Sequence, residues 1–151
     1  MTDIAILYGS VYGGAEELAE TSASRLEDAG FAVKLFSDCE LDDVLAANAP
    51  NWLIISSTTG SGDIPQNIEN VYTGLRDTVP NLSKTGYAVI CMGDSSYRET
   101  FCEAGKQFDE AMYETMAKRL VNRLEIDACE TMDTAAASAA WIGQLVDKIK
   151  Q

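Results

Sequence analysis

The chain has 151 residues, of which 46% are apolar and 23% charged, a length and balance typical of one compact globular domain. The 24 Asp and Glu residues outnumber the 11 Lys and Arg residues, so the formal net charge is −13 at pH 7. This charge opposes binding to nucleic acid backbones and to anionic lipid surfaces. The sequence contains no histidine, which excludes a Ser-His-Asp triad and removes the commonest zinc ligand. We therefore expect one domain over residues 1–151 that binds neither nucleic acid nor a membrane.

The cysteines are scattered and form no C-x-x-C pair; they are Cys39, Cys91, Cys102 and Cys129. The amino terminus shows no basic segment or cleavage site of a secretory signal. No apolar run approaches the ~20 residues that a membrane-spanning helix needs. These features predict a reduced, cytoplasmic protein with no metal site.

Three short apolar runs predict the central strands of a sheet, at residues 4–8, 52–55 and 87–92. The runs are continuous rather than alternating, which is typical of parallel strands covered on both faces. Two weaker strands are predicted at residues 31–36 and 121–126, where charged side chains interrupt the apolar run. We expect these two at the edges of the sheet.

Five segments between and after the strands are predicted to be helical. The first helix follows Gly14 and ends near Gly30, and the second is short, at residues 42–49. The third helix starts near Asp63 and Pro65 and ends before Pro80. The fourth covers residues 103–119 and buries Ala104, Phe108, Met112 and Met116, and the last buries Ile142, Leu145, Val146 and Ile149. Strand and helix thus alternate five times. This order predicts a doubly wound α/β fold with helices on both faces of the sheet.

Ligands of such sheets bind beyond the carboxyl ends of the strands, where the strand order reverses. The loop over residues 9–16 leads from a buried strand into a helix, so its amide groups and the helix dipole can hold a phosphate. The loop contains no Lys or Arg, and its glycines match neither a Walker A motif nor G-x-G-x-x-G. A plain strand-to-helix turn explains this loop equally well.

Two further loops follow the third and fourth strands. Residues 56–65 are rich in hydroxyl groups and can donate hydrogen bonds to a sugar-alcohol chain, although an ordinary polar loop has the same composition. Residues 93–102 present Tyr97 and Phe101, which can stack on a flat heteroaromatic ligand or simply cover the end of the sheet.

The string Gly93-Asp94-Ser95-Ser96-Tyr97, followed by Phe101-Cys102, resembles the loop that holds the isoalloxazine ring in flavodoxins and diflavin reductases. Gly9-Ser10-Val11-Tyr12-Gly13 together with Ser57 to Pro65 is similar to the MioC/YqcA-like branch of the short-chain flavodoxins. The resemblance covers essentially the whole chain, and the fifth-strand region leaves no room for the insertion of long-chain members. It implies a flavodoxin-like, five-stranded parallel sheet in the order 2-1-3-4-5, for which flavodoxin with FMN at the switch point is itself the standard example.

The resemblance also implies the residues that bind FMN. The phosphate would lie among Ser10, Val11, Tyr12, Gly13, Gly14 and Ala15, and the ribityl chain beside Ser57 and Thr58. Around the ring system would lie Thr59, Gly60, Ser61, Gly62, Gly93, Asp94, Tyr97, Phe101 and Cys102. Among these, Gly60 and Ser61 would flank N5, and Tyr97 would stack on the outer face. Thr59 stands where many flavodoxins have a tryptophan on the inner face.

The implied function is that of a monomeric electron carrier without catalytic residues. It would accept low-potential electrons from a flavodoxin/ferredoxin-NADP reductase and pass them to an acceptor enzyme with a basic face. Acidic residues at predicted loop ends, Asp38, Glu40, Asp42, Asp43 and Asp63, would steer such partners, although they also serve as a solubilising surface.

The alternatives are an NAD(P)H-dependent FMN or quinone reductase on the same fold and a cofactor-free binding module. A signalling receiver domain is disfavoured, because Gly9-Ser10 and Ser56-Ser57 stand where that class needs aspartates.

Overall fold

A computed structural model describes residues 2–9, 14–58, 63–93, 102–127 and 133–151. Strands and helices alternate along it. The strands are β1 (Ile4–Gly9), β2 (Val33–Phe36), β3 (Asn51–Ser57), β4 (Gly86–Gly93), β5 (Lys118–Arg119) and β6 (Leu124–Asp127). The helices are α1 (Gly14–Asp28), α2 (Leu41–Ala46), α3 (Gln66–Thr78), α4 (Glu103–Glu114) and α5 (Thr134–Lys150).

The strands form one parallel sheet in the order β2-β1-β3-β4-β5, and β6 also pairs with β4. This confirms the predicted doubly wound α/β fold and the order 2-1-3-4-5. β2 lies at one edge, as predicted. β5 and β6 together form the other edge, and each pairs with a different half of β4.

Each face of the sheet carries its own apolar core. α2, α3 and α4 cover one face and pack mainly on alternate residues of the central strands, such as Leu7, Ile54 and Val89. α1 and α5 cover the other face and pack on the residues between them, such as Ile6 and Ile55. The continuous apolar runs of β1, β3 and β4 therefore reflect burial on both faces.

The carboxyl-terminal part of α4 differs from the prediction. The helix ends at Glu114 rather than at residue 119, and Met116 is 60% exposed instead of buried. Met116 has a positive φ of 70°, and the Thr115 hydroxyl donates to the carbonyl of Met112 at 2.6 Å. The helical period continues in the sequence, but the chain turns here because Lys118 and Arg119 pair with the amino end of β4.

Several smaller boundaries also differ. The strand predicted at residues 31–36 begins at Val33, and the short helix predicted at 42–49 covers Leu41–Ala46. The strand predicted at 121–126 begins only at Leu124, as β6, while β5 lies within the segment predicted as the end of the fourth helix, and residues 120–123 separate the two strands. In that gap the carbonyl of Asn122 accepts a hydrogen bond from Trp141 Nε1 at 2.8 Å, so this segment bonds to α5 instead. Val146 and Ile149 are only partly buried, although both pack against the core.

Candidate functional site

The carboxyl ends of the strands lie level with one another and define one side of the molecule, which we call the carboxyl rim. Gly9 of β1 is in register with Ser56 of β3, and Ser57 is in register with Met92 of β4. Gly93 is in register with Asp127 of β6. The three predicted ligand loops therefore leave the sheet side by side, as their positions in the sequence required.

Gly9 closes the rim against α3 and leaves no room for a side chain. A Cβ at this position would lie 2.6 Å from Ile68 Cγ1 and 2.7 Å from Asn67 Oδ1. No real Cβ approaches heavy atoms that closely, so glycine is required for α3 to pack against the end of β1. The first predicted ligand loop thus starts from a fixed point.

Ser57 and Thr58 connect the second loop to its neighbours on both sides. The Ser57 hydroxyl donates to the Gly9 carbonyl at 3.5 Å, which links the ends of β3 and β1. The Thr58 amide donates to the Met92 carbonyl at 3.0 Å and continues the ladder with β4. The Thr58 hydroxyl accepts a 3.4 Å bond from the Ala104 amide, one of the otherwise unpaired N–H groups at the start of α4.

The amino terminus of α1 packs against β4 across the rim. A Cβ at Gly14 would lie 3.4 Å from Met92 Cε, an ordinary contact distance. Ala15 is fully buried beneath this first turn. The amide groups and positive dipole end of a 15-residue helix therefore face the rim, which suits an anionic group.

The start of α4 is held tightly against β4 by two buried cysteines and a glycine. The Cys102 thiol donates to the Cys91 carbonyl at 3.4 Å, and Cys102 has a positive φ of 56° at the helix start. A Cβ at Gly105 would lie only 2.0 Å from Cys91 Cβ. The hydrogen bond with Cys102, together with burial, raises the pKa of the Cys91 thiol well above its usual range. Both thiols are free, and they act as packing groups.

The rim carries acidic side chains at the start of each of the five described helices and at the ends of β2 and β6. They are Glu16, Glu17, Asp38, Glu40, Asp42, Asp43, Asp63, Glu103, Asp127 and Asp133. The first three residues of each described helix contain neither Lys nor Arg, and Lys106 follows as the fourth residue of α4. Burial and the carboxylates of Glu16, Glu20 and Asp38 raise the pKa of the Tyr8 phenol, which lies among them.

The described residues include only part of the predicted FMN site. Gly14, Ala15, Ser57, Thr58, Gly93 and Cys102 lie at the rim, on the three neighbouring strand ends or the helices that follow. Ser10, Val11, Tyr12, Gly13, Thr59, Gly60, Ser61, Gly62, Asp94, Tyr97 and Phe101 lie outside the described residues, as does Cys129. Met92 and Gly105 were missed at the sequence level. An isolated glycine near a predicted helix start was the only available signal for Gly105.

Comparison with known proteins identifies the family. A family model described as Flavodoxin matches residues 6–141 of this chain. Flavodoxin YqcA of Escherichia coli strain K12 is 37% identical over 144 residues, which are 95% of this chain and 96% of the relative. Protein MioC of the same strain is 35% identical over 150 residues, 99% of this chain and 100% of the relative. The chain therefore belongs to the flavodoxin family, as its three loops had indicated.

Solved structures agree with this assignment. A cysteine-to-serine variant of flavodoxin from Pseudomonas aeruginosa superposes with a TM-score of 0.93 at 34% identity, over 98% of this chain and 99% of the other. The family implies FMN binding and flavoprotein electron transfer. In the part of the chain that the structure describes, no helix is both long and apolar enough to cross a membrane.

Proposed function

We propose that this protein binds FMN at the carboxyl rim and carries electrons between a reductase and an acceptor enzyme. The observation that carries the proposal is the match to the flavodoxin family over residues 6–141, on a sheet whose β1, β3 and β4 end level at one rim. Bound FMN supplies the redox chemistry, while the protein binds and orients it and sets the surrounding charge.

The described residues fit the phosphate and sugar end of FMN. The first turn of α1 offers backbone amides, and the sequence from Ser10 to Ala15 contains no carboxylate to repel a phosphate. Ser57 and Thr58 add hydroxyl groups at the adjacent strand end. Although the Thr58 oxygen accepts from α4, its hydrogen remains a donor. The proposed site also includes the other predicted contacts, among them stacking of Tyr97 on the ring.

The proposed partners dock at the rim because of its charge. A surface with carboxylates at all five described helix starts attracts a basic face and repels another acidic one, which raises the association rate more than the affinity. This favours a donor such as a flavodoxin/ferredoxin-NADP reductase and an acceptor enzyme with a basic face. A monomer in the cytoplasm, as the sequence predicted, fits this role.

Calorimetric titration tests the central step. The protein is unfolded in guanidinium, freed of flavin and refolded, and its fold is checked by circular dichroism before FMN is added. We expect saturable binding of one FMN per chain, and weaker binding of riboflavin, which lacks the phosphate that the α1 terminus would hold. If a correctly folded apoprotein takes up no FMN at micromolar concentrations, the proposal is wrong.

The reductase alternative is separated by the electron donor. FMN-loaded protein mixed with NADPH alone should consume it no faster than free FMN does. Adding a ferredoxin-NADP reductase should reduce the bound flavin rapidly. Steady NADPH consumption without the added reductase would instead identify the protein as an enzyme.

Two variants on α1 test the docking face. Glu17 lies in the first turn at the rim, and Glu27 lies at the opposite end of the same helix; both are exposed. In stopped-flow reduction at low ionic strength, we expect Glu17→Gln to lower the rate by about 1.5-fold to 2-fold and Glu27→Gln to change it much less. If the reduction rate depends neither on salt concentration nor on which variant is used, the acidic rim only keeps the protein soluble.

A further inference from the structure

Three basic side chains gather around an open cleft between α4 and the β5 edge of the sheet. The cleft has a volume of about 240 Å3 and is lined by Lys106, Asp109, Glu110, Tyr113, Arg119 and Arg123. This placement contrasts with the carboxyl rim, where the first three residues of each described helix contain no Lys or Arg. In a chain with a net charge of −13, this edge therefore differs from the rim in the partners it can attract.

The two arginines are held in place by one buried carboxylate. Asp109 is 2% exposed, and its Oδ1 lies 3.0 Å from Arg119 Nη2 while its Oδ2 lies 2.6 Å from Arg123 Nη1. The Tyr87 hydroxyl also donates to Oδ1, at 2.7 Å. Both oxygens of Asp109 are therefore bonded within the protein, and this buried carboxylate is not exposed to a ligand in the cleft.

Donor capacity remains on the outer side of the cleft. Arg119 contacts Asp109 through Nε and Nη2, so its Nη1 has no acceptor among the residues that the structure describes. Lys106 forms no ion pair within those residues. Because the Arg119 guanidinium is already fixed, binding a carboxylate there costs less side-chain entropy than ordering a free arginine would.

An exposed apolar pair lies beside these cations. Tyr113 is 68% exposed and Met116 is 60% exposed, the highest values among the large apolar side chains that the structure describes. They are neighbours, since the Met116 amide donates to the Tyr113 carbonyl at 3.0 Å. Interfaces are enriched in Tyr, Met and Arg, and Tyr and Arg are among the residue types that most often carry the binding energy.

We propose that one surface, here called the α4–β5 surface, docks a protein partner that presents carboxylates around an apolar side chain. This surface is formed by Lys106, Tyr113, Met116, Arg119 and Arg123. Charge complementarity selects this occupant. Asp109 and Glu125 already pair with the arginines, and Arg123 is used by both of them. The cations left to meet a ligand are therefore Lys106 and the Nη1 group of Arg119, and in the lining only Glu110 opposes them. A partner with a basic face would prefer the rim instead.

The α4–β5 surface and the rim can be occupied at the same time. α4 starts at the rim with Glu103, and Tyr113 lies ten residues further on, about 15 Å along the helix axis. An acidic partner held here would leave the proposed electron-transfer end free. The inference does not depend on FMN binding, since none of the five residues of this surface is a predicted FMN contact.

Peptide titration of the FMN-loaded protein tests the proposal. The probe is the capped peptide acetyl-Glu-Leu-Asp-Leu-Glu-amide, and the control is the same peptide with Gln and Asn in place of the acids. We expect the acidic peptide to shift the Arg119 and Arg123 Nε–H and the Tyr113 NMR signals saturably, and to bind at least 5-fold more tightly than the neutral peptide at low salt. Shifts equal for both peptides, shifts centred on Asp127, or no saturable binding would each overturn it.

Matched variants separate this surface from general charge and stickiness. Lys106→Gln and Tyr113→Ser should each weaken binding by at least 5-fold. Lys84→Gln removes the same charge at another cleft, and Leu35→Ser removes an exposed apolar side chain at the β2 edge, so both should bind as the parent does. All four changes are at surface positions, and FMN affinity should be unchanged in each. Equal weakening by a surface variant and its control would refute the assignment.

Discussion

The contact between α4 and β4 yields a prediction whose size follows from the geometry. A Cβ added at Gly105 would lie 2.0 Å from Cys91 Cβ and 3.1 Å from both Cys91 Cα and Cys91 Sγ. Carbon atoms in contact prefer a separation of about 3.5–4.0 Å. Gly105→Ala therefore requires α4 to move from β4 by more than about 1 Å, and the backbone at Cys91 cannot move far because it lies in the centre of the sheet.

We expect the clash in Gly105→Ala to lower the free energy of unfolding by about 3 kcal/mol, at the upper end of what overpacking costs. Alanine's higher helix propensity, about 0.5–1 kcal/mol, offsets only part of this. Urea unfolding followed by circular dichroism measures the change. The net loss is then about 2–2.5 kcal/mol, and with a slope of about 2 kcal/mol/M the midpoint should fall by roughly 1 M. FMN should also bind more weakly, because the displaced turn begins at Cys102.

Matched variants identify the cause. Gly143 lies in α5 with no heavy atom within 4 Å of an added Cβ, so Gly143→Ala should stabilise the protein by about 0.5–1 kcal/mol. Cys91→Gly removes the clashing atom and should recover part of the loss in Gly105→Ala, whereas Cys91→Ala keeps that atom and should not. The reasoning would be refuted if Cys91→Ala restored the stability of Gly105→Ala as well as Cys91→Gly does. It would also be refuted if Gly105→Ala were as stable as the parent protein.

Three further predictions concern the core and the rim. Burial, followed by the hydrogen bond to Asp109, raises the pKa of Tyr87 from 10.0 to about 12. The unfolded phenol then ionises first, so the free energy of unfolding should fall by about 2–3 kcal/mol between pH 10 and 12. Tyr87→Phe should be about 1 kcal/mol less stable at pH 7 but lack this part of the alkaline loss in pH-dependent urea unfolding. Gly9→Ala should cost about 1–3 kcal/mol in thermal unfolding, because its Cβ would lie 2.6 Å from Ile68 Cγ1. Thr58→Val removes the hydroxyl that accepts from the Ala104 amide, so hydrogen exchange at this amide should become faster, whereas Thr58→Ser keeps the hydroxyl and should leave the exchange rate unchanged.

Each of these three has an outcome that contradicts it. Parallel alkaline curves for Tyr87→Phe and the parent would show that this phenol does not titrate in the unfolding window. Normal stability of Gly9→Ala would mean that α3 yields easily at the end of β1. Unchanged exchange in Thr58→Val would leave the amide at the start of α4 bonded to water or to another group.

The sequence predicted the central sheet well because burial on both faces leaves a simple signal. β1, β3 and β4 have almost no exposed side chain, so each is a continuous apolar run, and the alternating helices then determine the winding of the chain. The end of α4 was mispredicted for the opposite reason. Met112 and Met116 are spaced as in a helix, but the helix ends before Met116 because Lys118 must pair with the start of β4.

The site was predictable in position more than in detail. Which strands carry the ligand loops follows from their order, and the described ends at Gly9, Ser57 and Gly93 confirm that these loops start side by side. The contacts that hold the loops could not be predicted, because they join distant segments. Thr58 and Ala104 are 46 residues apart, and nothing local to either residue indicates their hydrogen bond.

The buried carboxylate of Asp109 shows how one charge can position an edge of the sheet. Its two arginine partners follow it by 10 and 14 residues and flank the segment that interrupts the fifth strand. Buried ion pairs contribute little net stability, because desolvation offsets most of their attraction. Their effect here is geometric: Arg119 fixes β5 and Arg123 fixes the approach to β6, so a fifth strand broken in two still follows β4 to its end. That path brings Asp127 beside Gly93, where the predicted ring-binding loop begins, and it leaves both guanidinium groups at the open cleft of the α4–β5 surface.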